Sequence, residues 1–541
     1  SFLNIAGLGT GLAVAILIFN YSYNESRADK YHENIDNIYL LENKNSTRVH
    51  YEIEPLVREQ VPAIEHIVIV EAIFRDMFVL KYKNEESIKT DLVFTESDFL
   101  KIFSFDVISG NLEDAFEAPY SIILTESEAK RIFGDKNAVG ESLSLKGNPV
   151  YLGESEVTVK AVIEDLPHNS NLQFKSLVTR STAKRMMPFI DQCNWGCQNV
   201  QNYVTLKKGQ DPEILAKQMS EQLRPFIPEK IACDFSFFPY SDAYFSSIRD
   251  DFKHGNLKMI YTLSSIALLI LLIATINYIN LSMAGSAKRL TEVGVRKIVG
   301  VRPFQLIRQL LGESVLLSIV SMVIGLVLAN LLTPAINSLS VIRLPDIPMR
   351  SISFWLFLVG ASVLIGVLAG LTPALALNKF RPISLITGRT SNTGSGTNIK
   401  RGLIVFQFAV SIILIVCTFT VTKQLSYVRK QNLGFETEHI IHVNLSPEIN
   451  TKIFKDKLSQ IAGIEDVSFS RWFPGNIQEN WSMPLVYNGE ETKVKFACEN
   501  ADAAYINIME LEIVQGRNFS DSLVSDNRAA ILNEKAVKEW G

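Results

Sequence analysis

The sequence has few of the residues that build metal sites, disulfide frameworks or nucleic-acid surfaces. Its 541 residues include five cysteines and seven histidines, and neither type recurs at the spacing of a zinc site or a disulfide scaffold. Cys193 and Cys197 lie four residues apart, so a local disulfide and two free thiols both remain open. The net charge of −4 gives no overall attraction to nucleic acid. We expect no metal and no nucleic-acid partner.

A nucleotide-binding motif is also missing. The stretch Gly134–Ser142, GDKNAVGES, resembles a phosphate loop only superficially, because it has one residue too many between its glycines. Glu141 also stands where a lysine would neutralise phosphate, so we interpret the stretch as a turn. No catalytic set stands out elsewhere. We therefore expect neither an enzyme nor a bound cofactor, and energy for any transport must come from another source.

Long apolar runs, in contrast, are abundant, and hydrophobic residues make up 47% of the chain. A helix needs about 20 mostly apolar residues to cross roughly 30 Å of hydrocarbon. Five uncharged runs satisfy this requirement, at 4–21, 259–279, 314–336, 352–377 and 403–421. Buried core helices are the alternative, and five uncharged runs of this length argue against it. The sequence thus predicts a membrane α-helical protein with five spans in the lipid bilayer.

The short loops between spans predict the orientation, because basic residues in such loops mark the cytoplasmic side. The loop between the second and third spans and the loop between the fourth and fifth are both strongly basic. Their basic residues are Lys288, Arg289, Arg296, Lys297, Arg302 and Arg308 in the first loop, and Lys379, Arg381, Arg389, Lys400 and Arg401 in the second. Residues 24–258 and the region after the fifth span are then predicted outside.

The outer segment 24–258 carries mixed signals that indicate an α+β domain. Residues 157–163 alternate apolar and polar side chains, as a half-buried strand does. Asp211 and Pro212 stand where a helix cap and a first helical residue are expected, and Leu215 and Met219 follow at helical spacing.

Part of this outer segment recurs near the end of the sequence. Residues 98–112 parallel 504–519 at an offset of about 406, and ILTESEAKRIFG parallels ILNEKAVKEWG. Both copies follow a span, and we expect both to form strands that lead into a helix. Because the sequence begins inside an apolar run and stops after a helix-like stretch, we also expect a fragment missing both ends. The predicted divisions are a span at 1–23, an outer domain at 24–258, three spans at 259–385, a flexible cytoplasmic linker at 386–401, a fifth span at 402–423 and a truncated second outer domain at 424–541.

A short basic helix within 286–302 is the candidate functional element. Glu292 and Arg296 are spaced as an i,i+4 ion pair, and Val295, Ile298 and Val299 form a small apolar patch. Gly300 is expected to end the helix and Pro303 to begin the next one. A basic helix held at lipid headgroups is the plainer interpretation. The sharper one is a docking element that transmits movement of a cytoplasmic partner to the second and third spans.

The segment from Asn277 to Ser314, which includes KRLTEVGVRKIVGVRPFQLIRQLLGES, resembles FtsX-like, MacB-like ABC transporter permeases. The stretches NIAGLGTGLAVAILI, ADKYHENIDNIYLLEN and IFGDKNAVGESL resemble further parts of that family, in the duplicated form found in Bacteroidota. The resemblance implies MacB-like periplasmic core domains on an inner-membrane permease, and a separate cytoplasmic ABC ATPase that docks on the basic helix. The implied docking residues are Arg289, Glu292, Val293, Gly294, Val295, Arg296, Lys297 and Gly300.

The resemblance further implies a dimeric assembly, with a periplasmic adaptor or cargo as partner. ATP hydrolysis would drive export or transmit force to the periplasm. A membrane-anchored periplasmic sensor or scaffold without ATP coupling is the alternative from a different class. The docking helix favours the first, and the sequence does not name the cargo.

Overall fold

The computed structural model describes residues 2–72, 75, 77–83, 85–147, 152–246, 252–288, 290–339, 343–378, 394–431, 439–443, 445, 449–471, 480–487, 490–520 and 522–540. It divides into two compact units. The first comprises 1–75, 91–142 and 157–421, and the second comprises 76–90, 143–156 and 422–541.

The regular elements are numbered in chain order. The α-helices are α1 (Phe2–Glu25), α2 (Ile53–Gln60), α3 (Phe99–Ile102), α4 (Leu112–Glu117), α5 (Glu126–Phe133), α6 (Arg180–Met186), α7 (Phe189–Cys193), α8 (Pro212–Leu223), α9 (Tyr240–Ala243), α10 (Leu257–Lys288), α11 (Leu290–Ile298), α12 (Pro303–Leu339), α13 (Ile352–Asn378), α14 (Gly394–Lys430), α15 (Thr451–Leu458), α16 (Ala504–Ile508) and α17 (Glu534–Trp540). The strands are β1 (Ile38–Asn43), β2 (Arg48–Val49), β3 (Ile64–Val70), β4 (Phe78–Lys81), β5 (Ile88–Thr90), β6 (Leu92–Thr95), β7 (Val107–Gly110), β8 (Ser121–Thr125), β9 (Ser142–Lys146), β10 (Glu154–Ile163), β11 (Ser176–Thr179), β12 (Val200–Leu206), β13 (Phe235–Pro239), β14 (Asn480–Tyr487) and β15 (Glu490–Ala497).

Among the described residues, five helices are long and apolar enough to cross a membrane: α1, α10, α12, α13 and α14. They coincide with the five predicted runs, which confirms the helical character of all five. A helix satisfies every backbone hydrogen bond internally, and this is what a chain in hydrocarbon requires. Several helices extend beyond the apolar run, most clearly α12, which begins eleven residues before the predicted span at Ser314.

Four of these helices form a bundle in which α12 packs on α1 and α13, and α10 packs on α1 and α13. Small residues allow the close approach of their backbones. A Cβ atom added to Gly325 would lie 2.9 Å from the carbonyl oxygen of Gly9, and one added to Gly370 would lie 2.7 Å from Cβ of Ser314. Because neither position has room for a larger side chain, these contacts set the spacing of α12 from α1 and α13.

The outer domain between α1 and α10 is built on two sheets. In the first, β13, β1, β12 and β2 lie in that order, with β3 also pairing with β12, and all pairs are antiparallel. In the second, within the first unit, β7, β10, β8, β11 and β6 pair in sequence with mixed directions. A shared apolar core that includes Leu40, Tyr203, Phe103 and Ile123 joins them. The predicted α+β domain is confirmed.

Two local predictions in this domain are also confirmed. Residues 157–163 lie in β10, whose apolar side chains are buried. The Asp211 carboxylate accepts hydrogen bonds from the backbone N–H groups of Glu213 and Ile214, so it caps α8 with Pro212 as the first helical residue.

The second unit contains the second copy of the predicted repeat. Helix α16 corresponds to α3 and α17 to α5 at the predicted offset, and Gly110 and Gly516 share a left-handed backbone with φ of 86° and 92°. The strand part of the prediction is wrong for the described residues, since 511–515 and 529–533 are not strands. In the first copy β7 and β8 are strands because they pair with β10 and β11. No strand pairs with 511–515 or 529–533 in the described part of the chain.

The predicted boundaries near the fifth span need one correction. Helix α14 begins at Gly394 and ends at Lys430. The last part of the predicted linker at 386–401 is therefore helical, and the predicted start of the second outer domain at 424 lies inside the helix. Residues 379–393 lie outside the described residues.

Candidate functional site

Helix α11 forms the corner between α10 and α12. Arg296 donates a hydrogen bond to Glu292 at 2.6 Å, which confirms the predicted i,i+4 ion pair. Gly300 has φ of 96°, and the backbone N–H of Val301 donates to the carbonyl oxygen of Arg296 at 3.1 Å. This left-handed helix end satisfies the last carbonyl groups of α11. The chain then turns directly into α12, which begins at Pro303 as predicted.

One face of α11 is attached to α12 by a small apolar core. Val293 and Leu306 are only 7% and 6% exposed, and Val301 and Leu310 pack against them. Arg296 also donates to the side-chain oxygen of Gln309 at 3.1 Å. The sequence interpretation treated Val293 as a contact for a partner, but its side chain is buried within the chain. Val293 therefore holds α11 on the first turns of α12.

The opposite face of α11 is apolar and uncovered. Val295, Ile298 and Val299 are 55%, 64% and 79% exposed, and Phe304 at the start of α12 is 70% exposed. We call these four residues the apolar face. Glu292 lies beside it and is also exposed. A cluster of exposed apolar side chains marks a surface that contacts another protein or a membrane.

This corner lies at the end of α10 that is remote from the outer domain. Helix α10 has 32 residues from Leu257 to Lys288, which gives a length of about 48 Å at 1.5 Å per residue. The outer domain joins its first turn and α11 follows its last. A single continuous helix thus connects the corner that carries the apolar face with the outer domain.

Two family models match the chain. The MacB-like periplasmic core domain matches residues 1–222, and the FtsX-like permease C-terminal domain matches residues 264–385, which include α11. The chain therefore carries the two domains of MacB-like, FtsX-like permeases. Together with the five apolar helices, these domains make it a multi-pass membrane protein with a periplasmic region, and the outer domain is that region.

Relatives and solved structures of the family are distant in sequence. The macrolide export ATP-binding/permease protein MacB of Vibrio parahaemolyticus is 22% identical over 340 residues, which cover 62% of this chain and 48% of the relative. MacB of Escherichia coli is 27% identical over 297 residues, which cover 53% and 41%. The chain spans about half the length of these relatives. The periplasmic region of MacB from Actinobacillus actinomycetemcomitans is 16% identical, covers 39% of this chain and 94% of its own, and has a TM-score of 0.28.

The remaining predicted site residues of this permease have different outcomes. Gly294 and Lys297 lie within α11, and Arg289 lies outside the described residues. In the outer domain, Cys193 and Cys197 are joined by a disulfide with their Cα atoms 5.4 Å apart. Among the described residues, no group of three or more His, Cys, Asp or Glu side chains is placed to hold a metal ion.

A buried polar cluster in the outer domain was missed by the sequence interpretation. The Asp29 carboxylate is 2% exposed and accepts hydrogen bonds from Ser170 and Asn171. The only signal in the sequence is the polar run Asn169–Asn171 within an otherwise folded domain. His32 lies nearby but is structural, because burial among aromatic rings lowers its pKa to about 3 and its Nδ1 accepts a hydrogen bond from the backbone of Ser104.

Proposed function

We propose that this chain is the permease of an ABC transporter, and that a cytoplasmic ATPase binds the apolar face of α11. One observation carries the proposal: α11 buries Val293 against α12 while Val295, Ile298 and Val299 on its other side stay exposed. A helix that only stabilised the corner would bury its apolar side chains there. An exposed set of this kind at the end of a membrane helix has the form of a docking surface.

The internal contacts of α11 give the proposed coupling its mechanical basis. Because Val293 packs on Leu306 and Arg296 bonds to Gln309, a displacement of α11 carries the start of α12 with it. Helix α12 packs on α1 and α13, so the movement spreads through the bundle. The proposed coupling requires a second arrangement of the corner. An ATPase shifts the equilibrium between two arrangements only if it binds them with different affinities.

The proposed contacts differ in part from the sequence prediction. Val295, Ile298, Val299 and Phe304 would supply the apolar contact, and Glu292 would supply a charge at its edge. Arg296 is already engaged by Glu292 and Gln309, so its role would be to hold the corner together. Arg289, Gly294 and Lys297 stay as predicted contacts, and Gly300 shapes the turn that presents the patch.

The wider assembly is proposed on the likeness to the family. The names of the MacB relatives join ATP-binding and permease functions. We infer a separate ATPase subunit, an inner-membrane location, a dimeric assembly and a periplasmic adaptor or cargo. The assembly would export a substrate or transmit force to the periplasm.

A second function is favoured by the same exposed side chains. Val295, Ile298 and Val299, next to basic residues, could lie in the headgroup region and anchor the corner to anionic lipid. The chain would then be a membrane-anchored periplasmic scaffold without ATP coupling. The two functions differ in whether the apolar face binds a protein.

Affinity purification from the native cell distinguishes them. The wild-type permease should retain an ATP-binding protein and stimulate its ATP turnover. The double variant Val295→Asp/Val299→Asp should lose both while it still inserts into the membrane, because both side chains are exposed. The matched control is Val107→Asp/Ile108→Asp, at an exposed apolar pair on the outer domain, which should retain the ATPase. A Val295→Asp/Val299→Asp variant that binds and stimulates the ATPase normally would overturn the docking proposal.

A further inference from the structure

The loop between β10 and β11 contacts the outer ends of two membrane helices. Towards α1, the side-chain amide of Asn169 donates to the carbonyl oxygen of Asn24 at 2.6 Å. The hydroxyl of Ser170 donates to Oδ1 of Asp29 at 2.5 Å. Asn24 lies in the last turn of α1, and Asp29 follows four residues after the helix ends at Glu25. The loop is thus hydrogen-bonded to the last turn of α1 and to the segment that follows α1.

The same loop is fastened to the chain that enters α10. The side-chain amide of Asn171 donates to the carbonyl oxygen of Lys253 at 3.0 Å, and the backbone N–H of Lys253 donates back to the carbonyl oxygen of Asn171 at 3.0 Å. Helix α10 begins at Leu257, and Asn256 caps it by accepting a hydrogen bond from Met259. Only three residues therefore separate this attachment from the first residue of α10.

A buried carboxylate lies at the centre of these contacts. Both carboxylate oxygens of Asp29 accept from the backbone N–H of Asn171, at 3.1 and 3.0 Å, and the hydroxyl of Tyr240 lies 3.3 Å from Oδ1. Asp29 is 2% exposed. A buried carboxylate of this kind is stable only while its donors stay in place. We call the set Asp29, Asn169, Ser170 and Asn171 the joint, and it is held together by these hydrogen bonds.

A displacement of this loop would act on the two strands that it joins, β10 and β11. Strand β10 pairs with β7 and β8, and β11 pairs with β6 and β8. A force on the joint consequently enters interior strands of the second sheet, whose residues Ala161, Ile163 and Leu177 belong to the core of the outer domain. It would not be absorbed by a free edge.

We propose that the joint is the element through which movement of α1 and α10 reaches the periplasmic domain. This inference rests on the proposed function, since it assumes that an ATPase moves the membrane helices. It assigns Asp29 a positioning role: the carboxylate holds the two helix ends and the sheet as one body. Without it, the bundle would move and the outer domain would not follow.

The variant Asp29→Asn tests the joint. It keeps the size of the side chain but leaves one acceptor oxygen where the carboxylate has two, so an N–H group of the variant faces the donors of Ser170 and Asn171. Asn169→Ala is a milder variant that removes only the bond to Asn24. The matched control is Asp36→Asn, at an exposed aspartate of the same segment.

The measurement is amide hydrogen exchange of the intact permease–ATPase complex, with and without ATP and vanadate. In the wild type, ATP should change exchange in 164–175 and in the strands that flank them. In Asp29→Asn, exchange at 22–28 and 253–260 should be roughly tenfold faster. The ATP-dependent change in the outer domain should be lost, while the ATPase still co-purifies and turns over ATP. Asp36→Asn should behave as the wild type.

Each other outcome has a distinct meaning. An Asp29→Asn complex that keeps the full ATP-dependent change in exchange would overturn the proposed role of the joint. A wild type without any ATP-dependent change would overturn the proposed coupling itself, whatever the variants do. If Asp29→Asn does not fold, Asn169→Ala decides by the same criterion: a reduced response supports the joint, and a full response overturns it.

Discussion

Replacing Ile298 with alanine should weaken binding of the ATPase about tenfold without altering the fold of the permease. Ile298 is 64% exposed in α11, so about two thirds of its side chain is free to be covered by a partner. Full burial of such a side chain is worth roughly 1.5–3 kcal/mol, and the available part is worth about 1.5 kcal/mol. At about 1.4 kcal/mol for each factor of ten, this corresponds to about tenfold in Kd.

The assay is a titration of the purified ATPase onto the permease in lipid nanodiscs. Ile214→Ala is the matched control, because Ile214 is 59% exposed on a helix of the outer domain, and its removal should leave Kd unchanged. Thermal melting of both variants should match the wild type. An Ile298→Ala permease that binds the ATPase with the wild-type Kd would show that the apolar face is not the docking surface.

Three further predictions concern stability. Burial raises the pKa of Glu71 from 4.5 to about 7, so the Glu71 carboxyl holds its proton more tightly in the folded domain than in the unfolded chain. The stability of the folded domain should therefore fall as pH rises from about 4.5 through 7. In thermal melts over the same pH range, Glu71→Gln should not show this loss of stability. Gly325→Val should destabilise the bundle in detergent by about 1–3 kcal/mol through overpacking. The control Gly360→Val, at a helical position with open space around it, should not destabilise it, and equal melting temperatures of the two variants would contradict this prediction. Reduction of the Cys193–Cys197 disulfide should cost at most about 2 kcal/mol in denaturant unfolding, because the closed loop is short, and a larger loss would refute that estimate.

The features predicted from sequence are those determined by neighbouring residues. The five spans follow from apolar runs of sufficient length, and the caps of α8 and α11 follow from residues within one turn of each helix end. The burial of Val293 could not be predicted in this way. Helical spacing places it on α11, but whether its side chain faces α12 or solvent depends on how the corner folds.

Contacts between distant residues explain the other differences. Asp29 and Ser170 are 141 positions apart, and the polar run around Ser170 does not indicate that Asp29 is its partner. The repeat shows the same dependence. Its helices recur because α16 and α17 depend on local sequence, whereas β7 and β8 are strands because β10 and β11 pair with them. Similar local sequence without such partners does not give strands in the described part of the second copy.

Photo-crosslinking at Val299 in living cells tests the central claim most directly. Its side chain is 79% exposed, the largest exposed fraction among the four residues of the apolar face. A benzophenone amino acid at this position should crosslink to an ATP-binding protein, and the same group at Ile214 should not. Crosslinks from position 299 to lipid alone, with no ATP-binding protein among the products, would contradict the proposal that α11 couples this permease to an ATPase.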